Sequence, residues 1–261
     1  MIQVLVALLL ALLGLSTTPT ATPITPEPTA EATAQYQYAI FAAPADATDA
    51  QLQATLGVIN ARLTALNVDF DAPQIERGET ISISIGLPGD GKSADWIALL
   101  TQPGTLELVD TSTLEPSAEY NGKTIWTTGQ VKRLGAAATT PDGALINAQT
   151  HMPFKTIIDG TQVMEASVLP AQYGSGWVIA VTFNADASTT MKRFSVAHIG
   201  KPLAIVIDGK ISSMPIIQAE ISDTAWIQGG FTEQAARELA AQLSSGPLPI
   251  PLEFTSTSGE R

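Results

Sequence analysis

Two histidines, His151 and His198, are the whole imidazole inventory of this 261-residue chain, and it has no cysteine. Neither histidine stands where a base is needed. His151 precedes Met152-Pro153 in a segment read as a loop, with no Gly-x-Ser-x-Gly element to make a triad. His198 lies near the end of a helical pattern, beside apolar positions. Without thiols there is no thiolate nucleophile, no disulfide framework and no cysteine-based zinc site. Asp142, Asp159 and Asp208 are each followed by glycine, as in tight turns, and none opens a calcium loop with its terminal glutamate. Leu-Pro-Gly-Asp-Gly-Lys at 87–92 lacks the spacing of a phosphate loop and reads as a strand-to-helix turn. The pair Gly229-Gly230 precedes a helix opened by Thr232 but has no following Lys-Ser/Thr, so it reads as backbone geometry and not as a phosphate cradle. The carboxylates show no paired motif of the kind a glycosidase uses. The expectation is therefore no catalytic residue, no metal site and no cofactor.

The elements that would position any site follow from composition and periodicity. The 25 acidic residues outnumber 13 Lys and Arg, a formal net charge of −12 that repels nucleic acid and favours solubility. Residues 1–16 begin with a run, MIQVLVALLLALLGL, that suits a signal-peptide core better than a full membrane span, and they are read as a signal peptide or an N-terminal anchor. The body is then extracytoplasmic. Residues 17–35 are Thr, Pro and Ala-rich and too poor in large apolar side chains to offset the entropy of folding, so they read as an extended linker.

Residues 36–112 read as strand, helix, strand, strand, helix, strand. Tyr36–Phe41 is a strand; Thr48 and Gln51 form a capping box; Leu52, Leu56, Ile59, Leu63 and Leu66 share a helical stripe that Asn67 closes. Val68–Ala72 and Thr80–Leu87 are strands, the second alternating Ile81, Ile83 and Ile85 with serines. Ser93 is expected to cap a helix carrying Trp96, Ile97, Leu99 and Leu100, and Thr105–Val109 is the last strand. That order is a ferredoxin-like unit. Residues 113–254 read as a second, small α+β unit. It holds a short strand at 123–127, a strand pair at Val163–Leu169 and Gly176–Asn184 about a Gly174-Ser175-Gly176 turn, and a helix over Ala185–Ile199. A hairpin follows at Leu203–Ile207 and Ile211–Ile217 about Asp208-Gly209, then a strand around Trp226-Ile227 and a helix with Ala236, Leu239, Ala240 and Leu243 on its apolar face. Pro247, Pro249 and Pro251 then force an extended exit from the unit.

Some of these stretches carry a resemblance. GKPLAIVIDGKISSMPII (200–217) with IQGGFTEQAARELAAQLSSGPLPIPLEF (227–254) resembles the first large extracytoplasmic domain of the SecD subunit of the Sec protein-translocation machinery. INARLTALNVDFDAPQIERGETISISIGLPGD (59–90) is similar to that family's base subdomain. The likeness covers roughly residues 50–254 and implies an α+β fold with a ferredoxin-like base at 36–112 and a SecDF head-like subdomain at 113–254. It also implies a head that contacts the emerging preprotein. Family members have a leading transmembrane helix with an Asp-Leu-Gln-Gly-Gly motif, and a later helix bundle with proton-coupling acids. The sequence to Arg261 shows a Thr/Pro linker in place of the first and ends before the second, so proton-driven pulling is not carried over.

The functional expectation is a non-catalytic extracytoplasmic domain that binds or docks translocated polypeptide in Sec-dependent export, a monomer with Sec membrane components as further partners and no nucleic acid. The alternatives are a secreted structural domain that has lost translocase function and, more remotely, a hydrolase. Binding is expected at a head sheet in which the 203–207/211–217 hairpin and the strand around Val178–Phe183 leave an open edge. Met214, Ile216 and Trp226 would supply apolar surface beside it. Gly229, Gly230, Asp208, Gly209 and Pro249 would shape the scaffold.

Overall fold

In a computed structural model of the chain, the described residues are 36–89, 92–172 and 175–258. The signal or anchor segment, the linker, Asp90-Gly91 of the Leu87–Lys92 turn and Gly174 lie outside them.

The fold starts from a strand β1 (Tyr36–Ala43) and a helix α1 (Asp49–Ala65). Thr48 caps α1: its hydroxyl accepts from Gln51 N at 3.3 Å, while Gln51 Oε1 accepts from Thr48 N at 2.9 Å. At the far end Asn67 takes φ 54°, Asn67 N donates to Thr64 O and Val68 N donates to Leu63 O, both at 3.0 Å. This closing motif uses Val68, so the strand expected at 68–72 instead forms as β2 (Asp71–Arg77). It pairs with β3 (Ile81–Pro88), after which α2 spans Ser93–Thr101, with Lys92 in the cap position expected for Ser93.

The fourth strand of the expected ferredoxin-like unit, β4 (Leu106–Asp110), departs. Pro103 and Gly104 turn the chain away, Gly104 with φ 73°, and β4 joins a second sheet. The base sheet is completed by β11 (Glu253–Ser258), giving the order β11-β1-β3-β2 with every pairing antiparallel. The proline-rich 247–252 segment is thus no outward exit. It carries Ile250 and Leu252 into the base core, beside Phe41, Leu52, Ile59, Leu63, Ile83, Ile85 and Leu100.

The remaining chain builds two further antiparallel sheets. After α3 (Thr128–Leu134) come β5 (Thr156–Asp159), β6 (Val163–Pro170), β7 (Trp177–Phe183) and α4 (Ala185–Ala197). Then follow β8 (Leu203–Ile207), β9 (Lys210–Ser213), β10 (Thr224–Phe231) and α5 (Glu233–Ser245). One sheet runs β5-β4-β8-β9, the other β10-β7-β6. The partner of the β8–β9 hairpin is therefore β4, and β7, expected beside it, belongs to the other sheet. Asp208 (φ 48°) and Gly209 (φ 77°) make the tight hairpin turn. β9 ends earlier than Ile217 because Pro215 has no N–H to continue the ladder, although Ile216 still bridges Pro202. The segment at 123–127 forms only isolated bridges, from Thr124, Ile125 and Thr127. A core of Ile179, Val181, Phe183, Met191, Leu203, Ile205, Ile227, Ala236, Ala240 and Leu243 joins the two head sheets to α4 and α5. Five helices and three antiparallel sheets make the described residues an α+β fold.

Candidate functional site

A strand at a sheet edge has a row of backbone donors and acceptors, and a folded chain must cover them or leave them for a partner. In the head, most of that row is covered. On β9, Ile211 N donates to Lys123 O at 3.0 Å and Ile211 O accepts from Gly122 N at 2.7 Å, so residues 122–125 close the edge expected to be open. On β6, the Ser244 hydroxyl of α5 accepts from Ala166 N at 3.0 Å and donates to Ala166 O at 3.3 Å. In the base, β2 carries Pro73, a register break between Asp71 and Gln74, and the charges Glu76 and Arg77, while β11 reads Glu-Phe-Thr-Ser-Thr-Ser.

In the head, β10 is the edge strand with the longest unengaged run. It pairs with β7 alone, as β6 does on the other side, but whereas Ser244 takes up Ala166 of β6, Thr224–Phe231 makes no backbone hydrogen bond to any other described segment. Its register holds from Thr224 to Gln228 and breaks before Phe231, where Gly229 and Gly230 (φ 66°) form a bulge that turns the chain toward the Thr232 cap of α5. The open stretch is thus Thr224–Gln228.

Strand alternation puts Ile227 and Ile179 into the core and Trp226 on the outer face. There Trp226 lies opposite Ala180 and Ala180 opposite Ser167; in the next row Gln228 faces Val178 and Val178 faces Leu169. Trp226 and Leu169 remain 44% and 39% exposed, with buried Val178 and Ala180 between them. A crevice of about 280 Å³ opens beside this row, lined by Trp177, Val178, Trp226, Gln228 and Gly230 among others. Its described walls are apolar, amide or the Ser175 hydroxyl, with no titratable side chain among the described residues, so they suit backbone pairing and side-chain burial.

The other residues singled out by type stand elsewhere. Met214, half-buried, packs on the cluster of Val109, Ile125, Phe154 and Val206 under the second sheet. Ile216, 40% exposed, lies beside Pro202. Asp208 accepts from Thr105 N at 2.7 Å and from Thr105 Oγ1 at 3.0 Å, fixing the hairpin to the start of β4. Asp159 caps a short 3-10 turn and lies 3.9 Å from Lys132. His198 Nδ1 is 2.8 Å from the Phe194 carbonyl, its ring stacked on Phe194, and His151 is exposed with φ 56°. Among the described residues no three His, Asp or Glu side chains gather as a metal site.

Two buried charges that the sequence reading passed over hold the scaffold. Arg62 is completely buried and donates to the Leu99, Gln102, Pro103 and Gly246 carbonyls and the Ser245 hydroxyl, at 2.6–3.3 Å. Its cation thus sits on the carboxyl ends of α2 and α5, where the helix dipoles favour it. Burial lowers its pKa from the ordinary guanidinium value to about 10, with the Asp208 charge acting in the opposite sense, so it remains protonated at neutral pH. The signal was its place in Ile59-Asn60-Ala61-Arg62-Leu63, between two core residues of α1. Glu107, 1% exposed in the middle of β4, accepts from Thr127 Oγ1, Thr156 Oγ1 and Arg133 Nη2, each at 2.6 Å, and so ties α3 and β5 to the sheet. An acid inside Leu-Glu-Leu-Val was its mark.

With this geometry in hand, the comparisons with known proteins agree with one another. Residues 139–250 match the family described as SecDF, P1 head subdomain. A SecD protein translocase subunit of Elusimicrobium minutum is 29% identical over 222 residues, 81% of this chain and 46% of that protein. One from Aquifex aeolicus is 48% identical over 69 residues, 26% of this chain and 14% of that protein. The chain thus spans less than half of these relatives. A crystal structure of SecDF in a super-membrane-facing form superposes with a TM-score of 0.62 at 24% identity, over 85% of this chain and 30% of that one. A second solved chain, from SecDF as a membrane component that enhances protein export, superposes at 0.60 and 23% identity, over 85% of this chain and all of that one. At these identities the two structures speak for the fold.

Proposed function

From the relation of this chain to the first extracytoplasmic domain of SecD, we propose that it acts in protein export outside the cytoplasm. It would do so as a non-catalytic module that holds extended, unfolded polypeptide on the open edge of β10. The observation that carries this reading is the edge itself: Thr224–Gln228 of β10 has no backbone partner beyond β7 among the described residues, while Ala166 of β6 is taken up by Ser244 and Ile211 of β9 by residues 122–123. An extended chain can add to Thr224–Gln228 through backbone hydrogen bonds that tolerate most sequences, and place every second side chain over Trp226 and its crevice. Such pairing, over few residues and without deep pockets, is weak and reversible, as a chain in transit requires. No helix among the described residues is long and apolar enough to cross a membrane. Sec membrane components are the partners that the relation to SecD suggests.

The test compares one substrate in its folded form and in a permanently unfolded variant. The full chain should bind the unfolded form more tightly, and Trp226→Asp should weaken that binding about tenfold while leaving thermal stability within about 1 kcal/mol, since the side chain is on the outer face. Equal binding to both forms, or binding indifferent to Trp226→Asp, would leave the structural-domain reading in its place.

A further inference from the structure

The end of the head at the carboxyl terminus of α4 has a surface unlike the rest of the molecule. Val196 and Ile199 are 53% and 57% exposed at the last turn of α4 and just beyond it, although the helical pattern would assign Ile199 to the buried side. Ile216, 40% exposed, is brought to the same end by the backbone: Gly200 N donates to Ile217 O at 2.8 Å, Ile217 N to Lys201 O at 3.0 Å, and Ile216 bridges Pro202. Three large apolar side chains thus stand in solvent at one tip.

The charge there is also inverted. From Ala187 to Ile207 the chain has Lys192, Arg193 and Lys201 and no acid, in a protein of net charge −12. Lys192 is taken up by Glu220 at 3.0 Å, whereas Arg193 and Lys201 form no ion pair among the described residues. The one acid between Asp186 and Glu220 is Asp208, which is engaged by Thr105 on the far end of β8, and the one acid that a neighbouring strand brings beside the tip, Asp110 of β4 opposite Leu203, has its carboxylate occupied by Ser112 N at 3.0 Å.

We propose that this tip, Val196, Ile199 and Ile216 with Arg193 and Lys201 beside them, docks on an anionic lipid surface. Apolar side chains without a groove around them match the headgroup–acyl boundary, which accepts single inserted residues. The flanking cations match lipid phosphates. The acidic remainder is repelled by the same surface, but with a Debye length of about 8 Å at physiological salt only the part nearest the bilayer feels its charge, so the repulsion orients the molecule tip-first. The contact is weak, salt-sensitive and specific in orientation. It is independent of the β10 edge, since Trp226 lies on another sheet.

The absence of cysteine allows a direct test on the full chain. Ile199→Cys and, as a base control, Gln53→Cys on the exposed side of α1 are each labelled with a polarity-sensitive fluorophore and mixed with phosphatidylcholine vesicles with or without phosphatidylglycerol. Whatever the N-terminal segment contributes to membrane attachment is the same in both. The Ile199 label should shift to the blue on the anionic vesicles and lose that shift at about 0.5 M salt, while the Gln53 label stays unchanged. Removing Arg193 and Lys201 as Arg193→Gln and Lys201→Gln should weaken the partitioning read at Ile199 by roughly fivefold each. A blue shift at Gln53 as large as at Ile199, an equal shift on neutral vesicles, or no shift at Ile199 would overturn the proposal.

Discussion

The surroundings of Arg62 and the edge of β10 handle backbone polarity in opposite ways. Around Arg62 the carbonyls of Leu99, Gln102, Pro103 and Gly246, at the ends of two helices, converge on one buried cation. Along Thr224–Gln228 the outward backbone groups form no backbone hydrogen bond to any other described segment. The first arrangement is where the chain crosses from the base to the head sheets and back, at 102–104 and 245–248, and Leu248 N donates to Pro103 O to join the two crossings. The second is at the far side of a sheet whose other edge is bonded at Ala166 by Ser244. What this teaches is that an open edge persists beside a well-satisfied interior. The exposure of β10 is a local property of one strand and not a sign of a loosely made domain.

The contrast can be broken first at Arg62. Arg62→Met should destabilise the protein by about 3–5 kcal/mol, because it leaves several buried carbonyls without a donor. In urea titrations this appears as a lower midpoint at unchanged slope. A loss under about 1 kcal/mol would mean that the carbonyls find water. Next in size is Glu107→Leu, which strands the Thr127 and Thr156 hydroxyls and Arg133; about 2–3 kcal/mol should go, with α3 the first element to lose amide protection.

Ser244→Ala sharpens the comparison by making the closed edge resemble the open one. About 1 kcal/mol of stability should be lost, and light scattering should show concentration-dependent self-association that the unaltered chain lacks. The smallest effect concerns pH. Arg62 has a folded pKa of about 10, below the ordinary guanidinium value, so through this group the unfolded chain holds more protons only from about pH 10 upward, and the pH dependence that Arg62 contributes to stability, a rise with pH, is confined there. From about pH 5 to 9 the difference in stability between the parent and Arg62→Met should therefore stay constant within about 0.5 kcal/mol.

Much of the fold could be read because local chemistry agreed with the outcome. The Thr48–Gln51 box, the left-handed Asn67, the Asp208-Gly209 turn and the Thr232 cap are short-range signals, and each has the expected geometry. The relation to SecD was also legible, from motifs that run through the hairpin and the last helix. What failed was pairing over long sequence distances. Nothing in Thr105–Val109 distinguishes a base strand from a head strand, and nothing in Pro247–Leu252 says that the chain will return to lie beside β1, more than 200 residues away. The hairpin edge was misjudged for the same reason: Gly122 and Lys123, which close it, lie in a stretch with little periodicity of its own. Of the three apolar residues proposed for binding, Trp226 stands on the open strand. Met214 and Ile216 were placed with it by composition, and the tertiary fold sends them to other surfaces.

The central claim is that polypeptide adds to β10 as a strand, and amide hydrogen exchange reads this directly. The full chain is exchanged alone and with an excess of a permanently unfolded polypeptide. The account expects slowed exchange concentrated in Thr224–Gln228, with Ala166 of β6 and Ile211 of β9 unchanged because their outward groups are already bonded. Binding that slows exchange elsewhere and leaves Thr224–Gln228 as it was would contradict it.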